Sequence, residues 1–98
     1  MGYDLFAFET ITVAGAAVGF TAATMSPGGG IGAFMAVLTL EAGQIRWRAD
    51  GTNPTATVGH IMEPGDTLTI VGPQTLQLWR GIRTGGVSGT LSVSYGRG

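Results

Sequence analysis

His60 is the single histidine of the chain and no cysteine accompanies it, so one copy cannot assemble a histidine cluster or a thiolate site for a metal. A hydrolytic triad would have to combine His60 with a serine such as Ser88 and an acid such as Asp50 or Asp66. No Gly-x-Ser-x-Gly elbow presents a serine as nucleophile, and the spacing favours no such grouping. Turn chemistry accounts for Asp50 and Asp66 instead, since carboxylates beside glycine and proline hydrogen-bond their own backbone. His60 is expected to end a strand and to bond the adjoining turn. The run Pro27-Gly28-Gly29-Gly30-Ile31-Gly32 invites a phosphate-cradling reading. It lacks the Gly-Lys-Ser/Thr ending, and it stands between expected strands with no helix following to hold a phosphate. It reads as an adaptable loop. The expectation is a non-enzymatic protein with no catalytic residue, metal or cofactor.

A second set of residues belongs to recognition. Arg46, Trp47, Arg48, Trp79, Arg80 and Arg83 combine the two residue types that most often anchor interfaces. The same groups stack on sugars or bases in other settings. Trp47 shares a strand face with Ile45 and Ala49, which favours the core. Trp79 shares its expected face with Gln77, Gly81 and Arg83, which leaves burial and exposure both open. The expected contacts are therefore Arg46, Arg48, Trp79, Arg80 and Arg83. Pro27 and Gly29 of the glycine-rich loop and the amino-terminal arm are expected to serve as adaptable docking segments.

Composition agrees with a protein covered by partners. Charged residues make up 11% of the 98 residues, under half the usual share, so solubility as a free monomer has little charge to rest on. All five basic residues are arginine, the cation preferred at interfaces over lysine. Six acids offset them, which leaves no electrostatic footprint for direct nucleic-acid binding. No charge occurs between Glu9 and Glu41, yet the glycine run and Thr10, Thr12, Thr21, Thr24 and Ser26 interrupt that stretch, so no membrane span is expected. Residues 1–4 lack the basic start of a secretory signal.

The elements that position these residues read as short β-favouring runs punctuated by Gly, Pro, Asn and Asp. Strands are expected over residues 3–13, 18–24, 33–41, 44–49, 55–61, 67–70, 76–83 and 87–95, with a helical turn at 14–17 left open. Residues 33–41 suit a central strand covered on both faces. Residues 44–49 alternate strictly, with Ile45, Trp47 and Ala49 against Gln44, Arg46 and Arg48. Leu91, Val93 and Tyr95 alternate with Thr90, Ser92 and Ser94 in the same way. Seven or eight short strands imply an all-β fold, a single compact jelly-roll-like sandwich or a small barrel. Residues 1–98 form one domain on this reading, with 1–13 as an extended arm or an edge strand.

Three phrases then carry a resemblance. Residues 44–60 contain Arg46-Trp47-Arg48 and Asp50-Gly51-Thr52-Asn53-Pro54; residues 63–66 read Glu-Pro-Gly-Asp; residues 80–95 contain Gly81-Ile82-Arg83-Thr84-Gly85-Gly86. Together they resemble small proteins encoded among the virion structural genes of tailed bacteriophages and prophages. The likeness spans the carboxy-terminal half. It implies a virion component assembled in the host cytoplasm, a homo-oligomer present in many copies. Its expected role is a capsid decoration or cement protein that binds the major capsid protein and stabilises the shell. The alternative is a tail, neck or fibre component that binds a receptor or glycan through an exposed aromatic such as Trp79.

Overall fold

The computed structural model describes residues 4–25 and 32–97. Among them, seven strands and two short helices run in the order β1 (Asp4–Val13), α1 (Ala22–Met25), β2 (Met35–Ala42), β3 (Ile45–Arg48), β4 (His60–Met62), β5 (Thr67–Val71), α2 (Pro73–Leu78), β6 (Arg80–Arg83) and β7 (Gly89–Arg97). The strands form two antiparallel sheets, one of four strands ordered β1-β7-β2-β5 and one of three ordered β4-β3-β6. The fold is all-β, as the punctuation of the sequence implies. Among the described residues no helix is long and apolar enough to cross a membrane.

Alternation builds the core. Register sets Ile11, Leu91 and Leu40 in one inward row of the larger sheet, and Ala7, Tyr95, Ala36 and Ile70 in another. Leu38, Leu40, Leu91, Val93 and Tyr95 are all fully buried, and Ile45 and Met62 of the smaller sheet are buried opposite them. Each aliphatic side chain so covered contributes roughly 1.5–3 kcal/mol. The central strands β2 and β7 supply most of this packing. On the outer face, Thr10, Ser92, Thr39 and Thr67 form one cross-strand row, and Phe8, Ser94, Val37 and Thr69 form the next.

Glu9 is the polar member of the inner side. Its carboxylate accepts bonds from the Thr21 amide at 3.2 Å, the Thr21 hydroxyl at 2.6 Å and the Tyr95 hydroxyl at 2.5 Å. This ties β1, the segment entering α1, and β7 together. Burial first, then the bond to Glu9 and its negative charge, raise the Tyr95 hydroxyl well above its ordinary value of 10.0. The unfolded chain thus releases this proton near pH 10, where the folded chain keeps it. The stability from protonated Tyr95 is whole below that pH and falls as pH rises beyond it. Urea midpoints are expected to drop above pH 10 more steeply for the wild type than for Tyr95→Phe. Parallel pH profiles would refute this coupling.

Three elements differ from the reading of the sequence. Residues 18–24 form no strand: Val18 makes one isolated bridge to Gly81, and α1 closes through the Met25 amide bonding the Thr21 carbonyl at 3.0 Å. Of residues 55–61, only the last two join β4. The Thr55 hydroxyl accepts the amides of Thr57 and Val58 at 3.3 and 3.0 Å, a local bonding pattern that competes with a ladder. Residues 76–83 divide between α2 and β6. Gly72 takes a φ of 111° at the helix entry and Pro73 opens the first turn, where its missing N–H costs nothing.

Candidate protein-contact face

The short strands of the smaller sheet decide which side chains share a surface. In β3, Ile45 and Trp47 face the core, so Arg46 and Arg48 face outward. Register then sets Arg46 between Ile61 of β4 and Ile82 of β6, and sets Arg48 directly opposite Arg80. The outer face thus carries three arginines and two isoleucines on three strands. Ile61 is 47% exposed, and Ile82 is partly covered.

Each arginine is braced by its own chain with part of its five N–H donors. Arg46 donates from Nε to the Ala56 carbonyl at 3.2 Å and from Nη1 to the Gly59 carbonyl at 2.8 Å, which holds the 55–59 loop against β3. Arg80 Nη1 donates to the carbonyls of Gln77 and Trp79 at 2.9 and 2.7 Å, satisfying acceptors that the end of α2 leaves unpaired. Arg48 grips Asp50 with both limbs, Nε to Oδ1 at 3.1 Å and Nη2 to Oδ2 at 2.5 Å. That grip holds the Asp50 carboxyl below its ordinary value, with the Thr52 amide adding a further bond. The pair is solvent-exposed, so it contributes little to stability.

Electrostatics leave a cost on this face. Like charges directly opposite across antiparallel strands are destabilising, and Arg48 and Arg80 are such a pair. Asp50 offsets one of the two. A partner offering carboxylates would relieve the rest while covering Ile61 and Ile82.

Two expected contact residues lie elsewhere. Trp79 is fully buried, which corrects its assignment to an exposed contact and removes the aromatic on which a glycan platform was placed. Trp79 is extended where α2 ends and lies on the inward side that it shares with Gly81 of β6. Its ring stacks on Phe20 at 4.6 Å and on Trp47 at 6.4 Å. Gly81 makes the room, since a Cβ there would stand 2.8 Å from the Trp79 ring. The Trp79 Nε1 is buried without a hydrogen-bond partner. Arg83 stands opposite Ile45, on the other side of the sheet from Arg46, and its Nη1 donates to the Ser88 hydroxyl at 3.3 Å. It braces the entry to β7 and is no part of the arginine face. Pro27 and Gly29 lie outside the described residues.

The half-buried Trp47 packs against the core as expected, with the exposed His60 ring 4.7 Å from its own. His60 opens β4, where the sequence reading had it end a strand. Beside this pair, Met62, Asp66, Thr67 and Leu68 complete a shallow groove of about 220 Å³ where β4 and β5 part. Asp50 and Asp66 do serve turns, the latter by accepting the Glu63 amide at 2.8 Å. Ile61 and Ile82 are the members of the face that sequence reasoning missed. Their alternation with buried neighbours was visible, but their place beside Arg46 depends on pairing between distant segments. No family model, curated protein or solved structure matches this chain.

Proposed function

We propose that this chain is a non-enzymatic structural component of a tailed-phage virion, a decoration protein that binds the major capsid protein through the arginine–isoleucine face. The observation that carries the reading is the cross-strand pair Arg48–Arg80 beside Ile61, Arg46 and Ile82, a cationic and apolar surface with one carboxylate to balance it. Two of the phrases that resemble virion proteins, residues 44–60 and 80–95, contain β3 and β6 themselves. A shell repeats its contacts many times, so modest individual contacts sum to firm attachment. The partner surface is acidic with apolar gaps.

Arg48→Glu is expected to weaken cosedimentation with expanded capsids lacking the protein by at least about tenfold, the usual order for reversing a central interface charge. Asp50→Asn, which frees Arg48, is expected to bind at least as well as the wild type. Failure of the wild type to bind such capsids, or equal binding by Arg48→Glu, would overturn the proposal.

A further inference from the structure

The opposite outer surface, on the four-stranded sheet, has a different chemistry. Its strands present a charge outward at one end. Glu41 accepts the Ser92 hydroxyl at one end; beyond the other, Asp4 and Arg97 pair in register with the inward parity of Tyr95, and Arg97 covers the Phe6 ring at 4.1 Å. Between these ends the outward positions of all four strands are hydroxyl or apolar. Thr10, Thr67 and Thr69 are exposed, and so are Leu5 at 59%, Phe8 at 62% and Val71 at 49%. An open sheet face on a free monomer normally carries alternating charges that keep it from stacking.

We infer that this face packs against the same face of a second copy of the chain. Apart from Glu41 at one end, which the Ser92 hydroxyl already bonds, the surface offers charged partners no electrostatic complement, whereas its hydroxyl and apolar rows complement themselves without burying a further ion. The arrangement of rows also suits a two-fold contact. Leu5, Met35 and Val71 share the row at one end of the sheet, and the hydroxyl rows lie toward the other. A two-fold axis parallel to the strands sets the apolar end of one copy on the apolar end of the next. It also brings Phe8 of one copy over Thr69 of the other and keeps hydroxyls against hydroxyls. Strand directions stay aligned, the usual geometry of stacked sheets about 10 Å apart.

The area sets the strength. Four strands about 4.8 Å apart, over five to seven residues each, cover on the order of 400–500 Å² per copy. Stable interfaces bury roughly 800 Å² per partner, so this contact is a weak, concentration-dependent dimer. It leaves the arginine face free and does not rest on the virion reading.

Sedimentation velocity of the purified chain over a concentration series tests it. The wild type is expected to move from monomer to dimer as concentration rises. Ser94→Arg, next to the axis, and Thr69→Lys, on the exposed edge strand β5, are each expected to raise the dissociation constant by at least about tenfold, because each buries an unpaired charge. Arg48→Glu, on the other sheet, is expected to leave the series unchanged. A wild type that stays monomeric up to its solubility limit would overturn the inference. So would dimerisation that persists when Thr69→Lys is folded.

Discussion

Trp79→Ala is expected to destabilise the fold by about 3–5 kcal/mol, the range for deleting a fully buried aromatic side chain from a core. In a domain of this length that approaches the whole of the usual stability. The reason is the position of the ring. Trp79 lies between Phe20 and Trp47, and Phe20 in turn meets Tyr95 edge-on at 5.7 Å, so one deletion unsupports both sheets. Trp79→Phe separates packing from polarity. It keeps an aromatic in the stack and removes the Nε1 that has no partner, so its loss should be well under half that of alanine. Urea denaturation of the two variants reads this directly. Equal losses would mean that the indole itself, through an interaction other than stacking, holds the site.

The second large effect falls on Gly43, at the corner where the chain leaves β2 for β3. Its φ is 72°, and a Cβ added there would stand 2.5 Å from the Ser88 carbonyl oxygen and 2.9 Å from the Gly89 Cα. Both obstacles are backbone, so neither can rotate aside. Gly43→Ala is expected to cost about 3 kcal/mol or more, combining left-handed strain with an overpacked contact. Gly65 provides the comparison, because its φ of 96° is also left-handed but nothing lies within 4 Å of an added Cβ. Gly65→Ala should therefore cost only the strain, about 1 kcal/mol. Similar thermal midpoints for the two variants would show that the corner can relax and that the contact with Ser88 is not decisive.

These two positions also show what was legible in advance. The alternation of Leu91, Val93 and Tyr95, and that of Ile45 and Trp47, each name their buried face without any knowledge of partners, because side chains in a strand must alternate. At Trp79 the alternation held but did not name the buried side. Residues 76–83 alternate plausibly, but a six-residue helix is too short to impose its own period, and Pro73 after Gly72 was the signal that favoured a helix start. Trp79 keeps the parity of Gly81 and Arg83, and it is the polarity of Gln77 and Arg83 that disguised this side as an outer one.

The arginines divide along a related line. A strand through residues 80–83 already sends Arg80 and Arg83 to opposite faces, so their separation follows from spacing. That Arg80 stands across from Arg48 depends on pairing between segments some thirty positions apart, and no local pattern encodes it. Likewise, threonines at 55 and 57 favour a strand by propensity, but the Thr55 hydroxyl turned them into a bonded loop.

The strand order of the larger sheet has a consequence for how the protein is made. β7 is the last described strand in the chain, yet it lies between β1 and β2. On the ribosome every other described strand emerges before it, and β1 waits without the neighbour that holds it. A nascent chain therefore carries the facing edges of β1 and β2 unpaired until residues 89–97 are free to insert. The larger sheet thus closes through its centre rather than growing from one edge to the other.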